Sequence, residues 1–387
     1  MSAAEDLERD PFLFLDRALS ESSGPAFRLP HGELCLTDAA ASRRVLTNAD
    51  GDYQDHSDFF HTRRGNFGPR AVQVEMGRAA MKLLYAGREA RAAALASEVE
   101  AALWPHSDWP DAGNWLVYRH LAEVLIGPRR PERLRRLVDQ IVERSVLAGA
   151  RERRGFLSRT YFRFQVMGEL ARAITATQRA AALSGTAAAS AAEAEDILAV
   201  VALAGRPALA GRQVPARELA EVFLSFLFAL AGSVGFTLGW SLYLLASHPG
   251  TAAPPAWVVR EALRLYPVAW LLARQPARGH QLAGEAISPD DAVVVCPYAV
   301  HRNPRHWDDP QTFRPERFAD ELEPEAFIPF GAGPHKCVGA SFSLHLVGDI
   351  LKILEAWQLS IEKDSDRPQK GAALAPPRFR LRLTKTS

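Results

Sequence analysis

The stretch Phe330-Gly331-Ala332-Gly333-Pro334-His335-Lys336-Cys337-Val338-Gly339 decides the reading of this chain. A glycine-rich loop delivers a cysteine just before a helix predicted over residues 338 to about 357. A helix N-terminus presents unpaired N–H groups and a partial positive charge, which favour thiolate over thiol. Gly331 and Gly333 permit backbone conformations closed to other residues and let the loop approach a flat ligand. Gly339 leaves room beside the first helical turn, and Phe330 is placed to cover the sulfur and keep water away. The plain alternative is a buried structural cysteine after a loop, which suits a lone cysteine. It does not account for a whole stretch that fits one pattern.

Composition narrows the function classes. The chain has 387 residues, 48% hydrophobic and 24% charged, an ordinary globular mix. Lys+Arg 46 against Asp+Glu 45 leaves a formal charge of +1, so no basic excess attracts nucleic acid or anionic lipid. Cys35, Cys296 and Cys337 cannot all pair, and so few cysteines argue for a reducing compartment. The N-terminus, MSAAEDLERDPFLFLDRAL, lacks a basic segment followed by an apolar core, so a cytoplasmic protein without secretory signal is expected.

Residues 222–246 carry no charge and are long enough to span a bilayer. The segment is internal and solitary, however, and Gly232, Gly235, Gly239, Ser225, Ser233, Thr237 and Ser241 interrupt it. Its flanks lack a Lys/Arg cluster. A helix apolar all round equally suits the centre of a large soluble protein, and that reading is preferred.

Along the chain, residues 26–37 predict a hairpin turning at Pro30-His31-Gly32, and residues 51–70 a loop. Residues 74–248 are mostly helical in pattern, with an Ala/Ser-rich surface loop or helix end at 185–194. Pro215, followed by Glu218 and Glu221, marks the start of the long apolar helix. Pro254-Pro255 opens a helix over 256–266, strands follow over 268–300, and 301–336 read as an ordered meander. The expectation is one domain over 1–387, mainly α with small β-sheets at both ends.

The ten-residue stretch resembles the haem-binding signature of the cytochrome P450 superfamily, Phe-x-x-Gly-x-x-x-Cys-x-Gly, without a mismatch. The resemblance implies the cytochrome P450 fold of the soluble bacterial type, with a long central helix and a cysteine-ligand loop. It implies haem b as cofactor, with Cys337 the axial thiolate on iron and Phe330, Gly331 and Gly339 beside it. A thiolate ligand pushes electron density onto iron and favours O–O cleavage. His335 stands where the family places a basic residue near a haem propionate.

Further motifs follow the family's order. Glu261-Ala262-Leu263-Arg264 resembles its Glu-x-x-Arg, a pair three apart on one helix face. Phe313-Arg314-Pro315-Glu316-Arg317-Phe318 resembles its Pro-Glu-Arg-Phe segment, whose arginine, here Arg317, completes a structural triad with Glu261 and Arg264. Arg274, seven residues after Pro267, matches the usual propionate arginine. Arg78 and Lys82 resemble a His-x-x-x-Arg pair on one helix face, a weaker match because both residue types differ.

One departure bears on chemistry. The family's central helix usually carries Ala/Gly-Gly-x-acid-Thr, whose acid and alcohol relay protons to bound dioxygen. Here it reads Ala229-Leu230-Ala231-Gly232-Ser233-Val234-Gly235-Phe236-Thr237. One register puts Val234 and Gly235 at the acid and alcohol positions. The other, preferred because it keeps the spacing to Trp240 and His248-Pro249, puts Gly232 and Ser233 there. In either register the acid is missing. A hydroxyl bonded back to its own helix is the plain alternative for Ser233.

By family position Phe59, Phe60, Phe67, Ala269 and Trp270 line an apolar pocket, although core packing accounts equally well for each aromatic taken singly. The resemblance thus implies a monooxygenase acting on a hydrophobic small molecule in specialised, antibiotic-type biosynthesis, with dioxygen and electrons from a ferredoxin and its reductase. Because the acid is missing, oxidative coupling, desaturation, rearrangement or peroxide-driven chemistry is the alternative. A haem sensor or carrier without turnover, and a membrane protein, are the competing classes.

Overall fold

Ala26–Arg28 and Leu34–Leu36 form the hairpin, antiparallel, with Phe27 opposite Cys35. The computed structural model describes all residues except 1, 23, 148–155, 184–190, 205–213, 321–323, 364, 370 and 386–387, and not the side chains of 156–159. Residues 185–190 of the Ala/Ser-rich segment therefore lie outside the described residues, and Ala191–Glu193 form a 3₁₀ turn. The fold is mainly α with small sheets, and the chain divides into two compact units.

The first unit holds residues 1–58, 250–337 and 367–375. Leu34–Leu36 runs parallel to Val293–Val295, which pairs antiparallel with Leu272–Arg274, giving a four-stranded mixed sheet. Both middle strands are buried throughout, as expected of strands that read as continuous apolar runs. Asp10 and Asp38 cap the helices Pro11–Glu21 and Ala39–Thr47, each accepting a first-turn N–H. The helix Pro255–Leu265 opens on the two prolines and leads to the meander.

The second unit holds residues 59–249, 338–366 and 376–387. Its helices include Arg70–Ala90, Asp111–Leu125, Phe156–Leu183 and Ala340–Leu354. Phe379–Lys385 lies between Trp357–Lys363 and His106–Trp109 in an antiparallel sheet. The apolar segment is one helical run, Ala216–Ser247, long and apolar enough to cross a membrane, and 67% of its most apolar window is buried inside the protein. That burial supplies the apolar surroundings its composition requires.

This run is not uniformly wound. Ala216–Leu227 and Gly235–Ser247 are α-helical, and Phe228–Val234 between them is π-helical. The cause is local. Asn114, fully buried on Asp111–Leu125, donates Nδ2–H to the carbonyl of Ala231 at 2.7 Å and of Gly232 at 3.3 Å. A side-chain donor competing for helix carbonyls loosens the i→i−4 ladder.

The two helices touch through glycines. A Cβ on Gly235 would lie 2.6 Å from Asn114 Nδ2 and 2.9 Å from its Cα, and a Cβ on Gly113 would lie 2.9 Å from the Gly235 carbonyl. Gly235→Ala is therefore expected to destabilise by about 3 kcal/mol, the upper end for overpacking, because backbone must move. Gly232→Ala is the control, since among the described residues its Cβ would meet only Val146, at 3.9 Å. Equal urea midpoints for the two variants would contradict this packing.

Candidate functional site

The cysteine loop is built on two left-handed glycines, Gly331 at φ 71° and Gly333 at φ 70°. A Cβ on Gly333 would lie 2.6 Å from Thr47 Cα, so this position is closed to side chains by backbone as well as by φ. The Cys337 N–H donates to the Phe330 carbonyl at 2.9 Å and closes the loop. Phe330 is half-buried, and Gly339 is the N-cap of Ala340–Leu354. Cys35 and Cys296 are buried, so of the three cysteines only Cys337 is exposed.

The meander that precedes the loop is held by a buried ionic lock. Glu261 and Arg264, both 0% exposed, pair through two 2.7 Å bonds, from Nε to Oε2 and from Nη2 to Oε1. The remaining Arg264 donors reach the carbonyls of His301 at 2.9 Å, Pro310 at 2.7 Å and Thr312 at 3.1 Å. Arg317 Nε lies 3.4 Å from Glu261 Oε1, its Nη2 donates to the Asp309 carbonyl at 2.7 Å, and its Nη1 donates to that of Asp308. The Arg314 N–H also donates to Glu261, at 2.9 Å. One carboxylate and two guanidiniums thus fasten the meander by its own carbonyls and amides.

His301 extends this lock and was not singled out in the sequence. Its Nδ1 lies 3.0 Å from the Arg264 carbonyl, and the Ile328 N–H donates to its Nε2 at 2.9 Å. That pattern assigns a neutral ring protonated on Nδ1. Burial, then Arg264, pushes its pKa down to about 3. A protein that holds this ring neutral binds fewer protons than its unfolded chain between pH 6.5 and about 3. Its contribution to stability is full above that window and is lost as pH falls through it. His301→Gln keeps a donor and an acceptor but cannot titrate. Between about pH 7 and about pH 4.5 it is expected to lose about 2–3 kcal/mol less unfolding free energy than the native chain. Equal losses in denaturant titrations would rule this out.

The expected propionate cations are placed as follows. Arg274, buried, forks onto Asp58 with Nη1 at 3.1 Å and Nη2 at 2.8 Å. Burial raises the Asp58 carboxyl, but His56 and Arg274 outweigh it and hold its pKa near 2. His335 Nε2 lies 2.6 Å from Asp55, while its Nδ1 is buried without a partner among the described residues. Neither carboxylate was anticipated from sequence. Arg78 and Lys82 lie exposed on Arg70–Ala90, where Gly77 abuts Val338, the residue after the cysteine, and Lys82 Nζ reaches the Ala192 carbonyl at 3.4 Å.

On the central helix, Gly232 and Ser233 fall inside the π-helical turn. Thr237 and Ser241 bond back to the carbonyls of Ser233 and Thr237, at 2.9 and 2.8 Å. The half-buried Ser233 hydroxyl makes no such bond among the described residues, contrary to the back-bonded alternative. Phe59 and Phe60 meet edge-on at 4.8 Å, and both pack on Phe226 of the central helix. Phe67 is fully buried core, its carbonyl accepting from Gln73 at 3.1 Å. In the first unit Ala269 is half-buried, and Trp270 packs on Phe12 at 5.0 Å and donates to the Gly371 carbonyl.

The family model "Cytochrome P450" matches residues 256–382, the segment that carries the lock and the cysteine loop. Human cytochrome P450 3A5 is 32% identical over 182 residues, 40% of this chain and 36% of its own length. Rat cytochrome P450 4V2 is 31% identical over 195 residues, 42% and 37%. Over residues 256–382 the chain carries the sequence of the cytochrome P450 family.

The matched part spans little more than a third of the length of these cytochromes P450. Solved structures extend the likeness of fold over the whole chain. HmtN, a post-tailoring hydroxylase of himastatin biosynthesis, superposes with a TM-score of 0.73 at 18% identity, covering 99% of this chain and 100% of its own. CYP109E1 from Bacillus megaterium, in complex with testosterone, does so at 0.70 and 16%, covering 96% and 99%. A cytochrome P450 carries haem, and the residues present fit it. The loop presents an accessible thiol, and His335 keeps a buried ring nitrogen unspent.

Proposed function

We propose that this protein is a haem-thiolate monooxygenase that oxidises a hydrophobic small molecule. The observation that carries the reading is the exposed Cys337 on a loop that follows a meander fastened to a fully buried Glu261–Arg264 pair. Cys337 would bind the iron of haem b, with Arg274, His335, Arg78 and Lys82 as the cations nearest in role to its propionates. Haem held this way supplies reductive dioxygen activation, in which one oxygen atom enters a C–H bond and the other leaves as water, using two electrons and two protons.

The chain's own residues then have three tasks. Cys337 donates its lone pair, the locked meander holds that sulfur still, and Ser233 passes protons. Phe59, Phe60 and Phe226 offer an apolar surface that suits a hydrophobic substrate. Electrons would come from a ferredoxin and its reductase in the cytoplasm. The himastatin hydroxylase among the structural neighbours supports a place in specialised biosynthesis.

A second reading rests on Gly232, which stands where the relay acid is expected. Oxidative coupling, desaturation or rearrangement needs no such relay, and peroxide brings both of its own protons, so that one has only to be moved between its two oxygens. The test is the reduced carbon monoxide difference spectrum, followed by a spin-state screen of hydrophobic compounds. Turnover of the screened compounds with ferredoxin is then compared with turnover on peroxide. A thiolate-type band and faster ferredoxin-supported turnover are expected. An imidazole-type band refutes the thiolate, and faster peroxide-supported turnover selects the second reading.

A further inference from the structure

Asn114 is held where the central helix departs from its family's pattern. Its Nδ2 donates to two carbonyls of the π-helical turn, Ala231 at 2.7 Å and Gly232 at 3.3 Å. This fixes the amide, because a flipped group would aim its oxygen at both carbonyls. The side chain cannot retreat, since the Gly235 and Asn114 backbones are in contact. Asn114 Oδ1 is left buried with no partner among the described residues.

A buried carbonyl oxygen left without a protein partner is normally satisfied by a bound water. The next residue on the same turn is Ser233, with its hydroxyl not bonded among the described residues, and the acid position is Gly232. π-helical turns recur at functional sites, where they turn helix carbonyls and side chains away from the regular ladder.

We infer that Asn114 is a positioning residue for proton delivery: its NH₂ group holds the Ala231 and Gly232 carbonyls, and its Oδ1 seats a water beside Ser233 that replaces the missing acid. The inference rests on the oxygenase reading. The water gives one proton toward the Ser233 hydroxyl and takes one from the next water, so Asn114 neither gains nor loses a proton. The amide acts only by orienting the donor.

The test uses holoprotein and two variants, Asn114→Leu and Asn114→Ala. Leucine keeps the volume and removes both polar arms, whereas alanine opens room for a water in place of the amide. Each is assayed for peroxide-driven oxidation of guaiacol, which needs neither the natural substrate nor a redox partner. One hydrogen peroxide takes one hydrogen atom from each of two guaiacol molecules and leaves two waters. Its O–O cleavage requires proton transfer between the two oxygens.

The turnover number for Asn114→Leu is expected to fall by about 100-fold with the KM for guaiacol unchanged, and that for Asn114→Ala by about tenfold or less. A role in packing alone reverses that order, because leucine fills the site and alanine leaves a cavity. A crystal structure of the holoprotein should show an ordered water within hydrogen-bond distance of Asn114 Oδ1. A dry or otherwise bonded Oδ1, or leucine outperforming alanine, overturns the inference. Loss of the thiolate-type carbon monoxide band in the native protein would instead overturn the reading beneath it.

Discussion

Replacing Cys337 with alanine should leave a folded protein that has lost the thiolate-type band of its reduced carbon monoxide complex. The side chain is exposed, so its removal opens no core cavity, and the change in unfolding free energy should stay within about 0.5 kcal/mol. The loop owes its shape to Gly331, Gly333 and the Cys337 backbone N–H, all of which the variant keeps. The spectral loss should be complete, because Cys35 and Cys296 are buried and cannot substitute. Native-like unfolding together with an unchanged band would mean that another residue binds the iron.

Arg264→Ala is expected to have the opposite profile, a large loss of stability that precedes any loss of chemistry. Removing one partner of a buried pair leaves the other charge uncompensated, at about 3–5 kcal/mol. Here the deletion also strips the carbonyls of His301, Pro310 and Thr312 of their donor. That is a large share of the about 5–15 kcal/mol by which folded proteins are stable. The variant should unfold at much lower urea and retain less haem per chain. Arg264→Lys should rescue little, since an ammonium cannot fork onto Glu261 while reaching the three carbonyls. A urea midpoint within experimental error of the native value would show that the lock does not hold the meander.

The lock was legible in outline. Glu261 and Arg264 are three apart on a helix, and the Arg317 segment and cysteine loop follow in order, so motif spacing carried those residues. What spacing could not show is why the lock works. Arg264 is tied to the meander chiefly by carbonyl oxygens, and every residue type carries one. His301 left no signal because its role depends on Ile328 folding back onto it. Asp55 and Asp58 likewise read as loop acids, and only the fold brings them onto His335 and Arg274.

The central helix divides the same way. Its apolar length pointed to a long helix at the centre of the protein, but the close packing at Gly235 was not read from the sequence. The π-turn was invisible, because it arises from an asparagine 117 residues earlier in the chain. Phe67 shows the reverse case, an aromatic in a candidate pocket loop that is fully buried core.

The sequence by itself determined the helical class and the cytochrome P450 character of residues 256–382, and it singled out the cysteine loop. Those features are written in local spacing, glycine backbone freedom and apolar runs. Only the tertiary structure decided which carbonyls are held, which cations are neutralised and where the central helix widens into a π-helical turn. These depend on single polar contacts between distant segments, and such contacts leave no periodic trace in the chain.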